Sequence, residues 1–144
     1  MKKILVFLLI LLTGCSINNP SQLYKVESVI DGDTIILATG EHVRLLGIDT
    51  PERGECYYQE ATDFLKSLLI NKLVSLERDK TNKDTYGRLL RYVYLDGEDI
   101  NILMIEKGYA EAFNKYISTT KKYSKIKSLE RKAKEEKIRR WSCS

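Results

Sequence analysis

Two acidic turns, close together in the sequence, carry side chains that could bind a metal ion. The first turn is Asp31–Asp33 and the second is Asp49–Glu52. Two short apolar runs lie between them, and Arg44 stands in the middle of the second run. Because the ends of neighbouring strands can meet at one point of a sheet, we expect these carboxylates to converge. Gathered carboxylates repel one another, and their hard oxygen atoms suit calcium or magnesium.

Arg44 separates two interpretations of these turns. An arginine among the apolar residues of a strand needs an anionic partner, since an unpaired buried charge is costly. If the partner is one of the aspartates, the cluster is structural and each acidic turn is an ordinary turn signal. If the partner is a phosphate, the cluster is a site for a phosphodiester. The residue types alone leave both interpretations open.

Residues 1–15 have the pattern of an export signal. Two lysines precede a short apolar run, and Leu12–Cys15 resembles a lipobox, in which the cysteine is lipidated. The apolar run is too short to span a bilayer as a permanent helix. We therefore expect a lipoprotein signal peptide over residues 1–14 and a lipidated, flexible tether over residues 15–22 that begins at Cys15. An ordinary secretory signal and a buried first helix are the alternatives.

Export also changes how the other two cysteines are interpreted. The expected location is extracytoplasmic, on the cell membrane through the lipid anchor, or secreted if the lipobox is not used. Disulfides persist in such oxidising surroundings, so Cys56 and Cys143 can pair and tie the C-terminus to the loop after Glu52. Two free thiols are the alternative. A zinc site is not favoured, because the chain has no CxxC motif and a single histidine, His42.

Composition and periodicity predict one α+β domain. The chain has 144 residues, and its 24 lysines and arginines against 20 aspartates and glutamates give a formal net charge of +4. That charge is only a weak signal for nucleic acid. Five short strands interrupted by a helix, with two further helices, are typical of an α+β fold. The pattern alone does not distinguish a small barrel from an open sheet.

The predicted elements follow from apolar spacing and turn residues. The strands are Leu23–Ile30, Thr34–Ala38, His42–Ile48, Leu73–Arg78 and Leu89–Leu95. The helices are Tyr58–Leu69, a short helix capped by Asp99 that ends at Lys107, and a last helix from caps among Ser118, Thr119 and Thr120 to about Arg139. The segment Asp79–Thr85 is predicted to be a polar loop.

Four segments of the sequence are similar to those of one known family. They read VIDGDTIIL, VRLLGIDTPE, DTYGRLLRYVYLDG and KEEKIRRWS. In order and spacing they resemble the staphylococcal nuclease (thermonuclease-like) family, over Leu23 to Ser142, so a nuclease domain is expected at residues 23–144. The resemblance implies a mainly β, α+β fold: a five-stranded OB-fold barrel with three α-helices, which commonly binds oligonucleotides across one face.

The resemblance also assigns catalytic roles. It implies that Arg44 and Arg88 are the two catalytic arginines, whose planar forks suit phosphate oxygens. It implies that Glu52 acts as general base toward the attacking water. For Arg88 a purely structural alternative stays open, namely a salt bridge with Asp84.

A metal site and a substrate site are implied in the same way. By resemblance, Asp33 and Asp49 provide carboxylates to a calcium ion, and Thr50 provides a backbone carbonyl. Tyr86 and Tyr116 match tyrosines of the family's substrate pocket. A third such tyrosine is replaced by Asn114, and the segment Arg53–Gln59 is short for the family, which leaves substrate preference open.

The function expected from this resemblance is calcium-dependent hydrolysis of single-stranded DNA and of RNA to 3′-phosphate products. The enzyme is expected to act as a monomer with no obligate protein partner. One alternative is a non-catalytic OB-fold lipoprotein that binds nucleic acid at the cell surface. Another is an envelope protein whose basic last helix binds lipid or polymer.

Overall fold

The structure is a computed structural model that describes residues 22–143, apart from the side chains of residues 117–119. The predicted signal peptide and the lipidation site at Cys15 lie outside these residues. Among the described helices, none combines the length and the apolar character needed to cross a lipid bilayer.

Eight strands and three α-helices make up the described chain. The strands are β1 (Leu23–Asp31), β2 (Thr34–Leu37), β3 (His42–Leu45), β4 (Ile48–Asp49), β5 (Leu73–Lys83), β6 (Leu89–Leu95), β7 (Glu98–Asp99) and β8 (Glu111–Ala112). The α-helices are α1 (Tyr58–Leu69), α2 (Ile100–Glu106) and α3 (Tyr123–Glu135). Two short 3₁₀ helices cover Asn114–Thr119 and Arg139–Ser142.

Five of the strands form a closed ring. β1 pairs antiparallel with both β2 and β5, β2 pairs with β3, and β5 pairs with β6. A parallel pairing of β3 with β6 closes the ring. The two-residue strand β7 extends β6, while β4 and β8 pair with each other. The predicted α+β class is confirmed, and the arrangement is that of an OB-fold.

The main core joins the ring to α1 and α2. Helix α1 has the predicted bounds, and its buried residues Ala61, Leu65 and Leu69 recur at helical spacing. Helix α2 begins as predicted, because the Asp99 carboxylate accepts a hydrogen bond from Ile102 N at 3.1 Å. These local signals were sufficient to locate both helices.

Strand β5 is longer than predicted. The segment predicted as a polar loop continues the strand to Lys83, which pairs with Leu89 after an irregularity in the register. Its polar side chains find partners across the sheet: Asp79 Oδ2 accepts from Tyr92 Oη at 2.7 Å, and Asn82 Oδ1 accepts from Arg91 Nη2 at 2.9 Å. The prediction was wrong because pairing with β6, not apolar alternation, keeps this segment extended.

Two other predicted boundaries are also wrong. The run His42–Ile48 is not one strand, because Gly47 adopts a positive φ of 82° and turns the chain from β3 into β4. The last helix begins at Tyr123 after Lys122, with no side-chain cap, and ends at Glu135. Thr120, one of the predicted caps, instead donates from Oγ1 to Tyr116 O at 2.7 Å.

Glu130 fastens α3 to the small β4–β8 sheet. Its side chain is buried, and Oε1 accepts a hydrogen bond from Ala112 N at 3.1 Å and lies 3.4 Å from Lys134 Nζ. Lys127 Nζ donates to the other carboxylate oxygen. Burial alone would raise the pKa of Glu130, but these bonds and charges outweigh it and hold the pKa below its ordinary value of 4.5.

Substituting Glu130 should therefore cost stability in a pH-dependent way. A group whose pKa is lowered on folding contributes at neutral pH, and the contribution is lost as the pH falls through the folded pKa. We expect Glu130→Gln to lower the free energy of unfolding by about 2 kcal/mol at pH 7. Urea unfolding should show that the difference in the free energy of unfolding between the variant and the parent protein disappears between pH 5 and pH 3.

Glu136→Gln is the matched control. Glu136 follows α3 and lies 4.0 Å from Lys132 with half of its side chain exposed, so its loss should change stability by less than about 0.5 kcal/mol. If the difference in the free energy of unfolding between Glu130→Gln and the parent protein stays constant across the pH range, this account of Glu130 is contradicted.

Candidate active site

The two acidic turns meet through Asp33. Its Oδ2 accepts hydrogen bonds from both the backbone N and the Oγ1 of Thr50, each at 3.0 Å, and its Oδ1 accepts from Thr34 Oγ1 at 3.1 Å. The approach is close enough to require Gly32, because an added Cβ would lie 2.8 Å from Thr50 Oγ1. The predicted convergence of the two turns is thus present, with Thr50 buried behind Asp33.

Arg44 lies beside this junction and is only 7% exposed. Its Nε is 3.2 Å from Asp33 Oδ1, and its Nη2 donates to Asp49 Oδ1 at 2.7 Å. Its Nη1 donates to the backbone oxygens of Leu45 and Ile48 at 2.8 and 2.7 Å. The anionic partners of this buried arginine are therefore two aspartates, one from each turn.

The aspartates keep an excess of negative charge despite Arg44. Burial, and then the charge of Asp33, raises the pKa of Asp31 to about 6. Burial also raises the pKa of Asp49 to about 6, while the charge of Arg44 lowers it and the charges of Asp33, Glu52 and Glu111 raise it further. One guanidinium does not offset the mutual repulsion of these carboxylates, so a further cation would be favoured here.

A cleft of about 360 Å³ opens on this cluster. It brings together seven of the eight residues predicted for catalysis, metal binding and substrate binding: Asp33, Arg44, Asp49, Glu52, Tyr86, Arg88 and Tyr116. Thr50 is the eighth, and it supports Asp33 from behind instead of lining the cleft. The sequence-based set is thus one spatial site.

Arg88 enters the cleft from the loop before β6. Its Nε donates to Asp84 Oδ2 at 2.6 Å, and its Nη1 lies 3.5 Å from Thr34 Oγ1. Asp84 is itself fixed by the backbone N–H groups of Tyr86 and Arg88, at 2.9 and 3.0 Å. Burial would raise the pKa of Asp84, but these hydrogen bonds hold it below its usual value. The salt bridge considered from the sequence is therefore present, and it uses Nε.

Glu52 lies on an exposed turn at the rim of the cleft. Its backbone N–H donates to Glu55 Oε2 at 2.7 Å, and its carbonyl accepts from Glu55 N at 2.9 Å. Cys56, which follows Glu55, forms a disulfide with Cys143, and the two Cα atoms are 6.4 Å apart. The turn that carries Glu52 is thus tied to the end of the chain.

Aromatic and basic residues complete the cleft. Tyr86 is 82% exposed and lies against Arg88, with the guanidinium carbon 5.4 Å from the ring centre. Tyr116 packs edge-to-face on Phe113, whose ring lies 5.4 Å from the guanidinium carbon of Arg44. Sequence reasoning missed Phe113, and also Lys115, which lines the same wall. The signal that could have found them is the aromatic and basic character of residues 113–116.

The acidic cluster is not a preassembled metal cage. Within residues 22–143, no three acidic, histidine or cysteine side chains are arranged so that they could hold an ion by themselves. The donors fit a hard divalent ion nonetheless: they are oxygens, Asp49 is accessible from the cleft, and the site carries unbalanced negative charge. Such ions commonly complete their coordination with water and substrate oxygens.

Comparisons with known proteins agree with this site. The model of the family described as staphylococcal nuclease homologue matches residues 42–143. Thermonuclease of Staphylococcus hyicus is 40% identical over 135 residues, which cover 87% of this chain and 79% of that protein. Thermonuclease of Staphylococcus intermedius is 38% identical over 128 residues, 82% of this chain and 75% of that protein. The SPbeta prophage-derived endonuclease YokF of Bacillus subtilis (strain 168) is 36% identical over 127 residues, 81% of this chain and 43% of that protein. The chain therefore belongs to the staphylococcal nuclease family.

Proposed function

We propose that this protein is a calcium-dependent nuclease that hydrolyses single-stranded DNA and RNA and leaves 3′-phosphate ends. The observation that carries the proposal is the joint placement of Arg44, Arg88, Glu52 and two aspartates around one cleft. Hydrolysis of a phosphodiester needs neutralisation of phosphoryl charge and an oriented water, together with stabilisation of the leaving oxygen. Family membership supports the reaction class, and the chemistry of the cleft supports the assignment of roles.

The two arginines are unequal in what they can offer a phosphate. A guanidinium has five N–H groups. Arg44 donates three of them to Asp49 and two backbone oxygens, and its Nε forms an ion pair with Asp33 at 3.2 Å. One N–H group of Arg44 is left to donate to a phosphoryl oxygen. Arg88 directs only Nε to a carboxylate at short range, so its two Nη groups can take the phosphate in the forked, two-bond manner. Arg44 mainly supplies fixed charge, and Arg88 binds the phosphate.

Glu52 and the aspartates bind the metal ion and the attacking water. When bound, the calcium ion would offset phosphate charge and increase the acidity of a nearby water. Asp49 and Asp33, with the carbonyl of Thr50, are the residues that would hold it. Glu52 stands at the rim and orients the attacking water, accepting its proton. Tyr86 is exposed enough to stack against a base.

One observation favours the alternative of a non-catalytic nucleic-acid-binding lipoprotein. Both oxygens of Asp33 already accept hydrogen bonds, and the described acidic residues do not form a ready cage. In that case the cleft would bind an oligonucleotide through Arg88 and the aromatic wall alone. Such binding would survive chelation and leave the oligonucleotide intact.

A cleavage assay separates the two functions. The full chain in mild detergent would be incubated with end-labelled single-stranded DNA or RNA in calcium, in magnesium or with a chelator. We expect calcium-dependent fragments with 3′-phosphate ends, because the oxygen donors suit a hard ion. Binding without fragments under all conditions would identify the protein as a binding module.

Substitutions should separate the roles of the charged residues. We expect Glu52→Gln and Arg88→Ala each to lower turnover by at least about a hundredfold, with a smaller loss of stability than Arg44→Ala, since both side chains reach solvent. Arg44→Ala should lower turnover too, and should also reduce the free energy of unfolding by about 3 kcal/mol, because it leaves buried aspartates unpaired. Steady-state kinetics and urea unfolding measure the two effects.

Glu60→Gln and Arg78→Ala are the matched controls, since both residues are exposed and neither lines the cleft. Both should keep turnover near that of the parent protein. Near-normal turnover in Glu52→Gln and Arg88→Ala would disprove these roles, and equal stability of Arg44→Ala and Arg88→Ala would disprove the structural role of Arg44.

The proposed location is extracytoplasmic, on the cell membrane through a lipid on Cys15. It rests on the lipobox-like Leu12–Cys15 after a basic and apolar leader. We expect labelled fatty acid to be incorporated into the expressed chain and lost in Cys15→Ser, which should shift the protein from the membrane fraction to the medium. Membrane retention of the unlabelled variant would rule out lipid as the anchor.

A further inference from the structure

The last residues of the described chain reach back to the acidic cluster. Arg140 Nη1 donates a hydrogen bond to the backbone oxygen of Asp49 at 3.2 Å, and its Nη2 lies 3.4 Å from Glu111 Oε2. Asp49 and Glu111 are direct partners across the β4–β8 pairing. Arg140 therefore holds both strands of this two-stranded sheet, although it does not line the cleft.

The same segment has a second attachment at the disulfide. Cys143 is bonded to Cys56, which follows directly after the hydrogen-bonded turn from Glu52 to Glu55. Helix α1 begins two residues later, at Tyr58. The disulfide therefore fixes the point between Glu52 and a rigid helix, so that the turn cannot swing away from the cleft on its C-terminal side.

The base of the segment is itself immobilised. Arg140 N donates to Gly108 O at 3.2 Å, and the centre of the Trp141 ring lies 4.4 Å from Lys134 Nζ and 5.0 Å from the guanidinium carbon of Arg140. A Cβ on Gly108 would stand 2.7 Å from Ile138 O, so the segment packs closely against the end of α2. Because this segment is held firmly, it can fix the positions of the two groups to which it is attached, the Asp49 backbone and Cys56.

We propose that residues 140–143 form a strap that positions Asp49 and Glu52 for the reaction, and that Arg140 is a positioning residue. This inference rests on the proposed nuclease function. Strand β4 has two residues, and the carboxylates of Asp33, Glu52 and Glu111 repel that of Asp49. Arg44 holds the Asp49 side chain from one side, and Arg140 holds its backbone from the other.

The test compares Arg140→Met with Arg139→Met in the full chain in mild detergent. Arg139 directly precedes the strap and carries the same charge, but it donates to Lys107 O at 2.8 Å and lies over the Tyr109 ring at 4.7 Å. Three quantities would be measured: the calcium concentration for half-maximal cleavage, kcat with KM, and amide hydrogen exchange of residues 48–57.

For Arg140→Met we expect the half-maximal calcium concentration to rise about tenfold, the usual effect of removing a group that orients a metal ligand. Exchange at Asp49 and Thr50 should become faster, while KM for DNA stays within about twofold. Arg139→Met should keep the parent values. Equal calcium dependence and equal exchange in the two variants would overturn the role of Arg140, even if both unfold at lower temperature.

The second attachment is tested by the double variant Cys56→Ser, Cys143→Ser, at a temperature where circular dichroism shows it folded. We expect kcat to fall about tenfold and exchange to increase over residues 52–57, with KM unchanged. Unchanged exchange over those residues would overturn this part of the strap. If the parent chain cuts no nucleic acid, the proposed function fails, whereas the exchange comparison still decides whether the strap positions these residues.

Discussion

The buried guanidinium of Arg44 is the interaction on which the arrangement of the site depends. It binds the carbonyls of Leu45 and Ile48, on either side of the turn at Gly47, and the carboxylates of both acidic turns. Buried carbonyls without a partner are costly, so one side chain satisfies the turn and neutralises the acids together. Together with the positive φ of Gly47, this residue stabilises the path of the chain from β3 into β4 and with it the location of Asp49.

The carboxylates of this compact cluster are not all neutralised by ion pairs, because the cluster has more negative than positive charge. Acidic groups outnumber the arginine that faces them, and the raised pKa values of Asp31 and Asp49 reflect burial first, with like charges adding to it. A structural ion-pair cluster would be expected to neutralise itself. The remaining negative charge, set beside the cationic Arg88 and Lys115, gives the cleft one wall suited to a metal ion and another suited to phosphate.

Local sequence was sufficient for the parts of the fold that are determined locally. The bounds of α1 and the cap of α2 follow from apolar spacing and from Asp99, whose effects act within one helical turn. The extension of β5 through residues 79–83 could not be foreseen, because its cause is a partner strand beyond the next turn. The break at Gly47 depends in the same way on packing: a Cβ there would lie 2.9 Å from Ile126 of α3.

The site was predictable where its residues lie in recognisable motifs, as Asp33, Arg44, Asp49 and Glu52 do. Phe113, Lys115 and Arg140 reach the same region from segments that are distant along the chain, so spacing alone could not place them. The sequence left the partner of Arg44 open between aspartate and phosphate. The structure shows aspartates and still leaves one N–H group of Arg44 to donate.

The pairing of β4 with β8 has a consequence for the order in which the molecule is completed. Synthesis proceeds from the N-terminus and a domain generally folds as one unit, so Asp31, Asp33, Arg44 and Asp49 emerge before the domain can fold. The strand that supports Asp49, the strand β6 that closes the ring, and Glu130 are all made later. A growing chain on the ribosome therefore has the acidic residues of the cleft but not the walls that hold them. The cleft can therefore form only when most of the chain has been made.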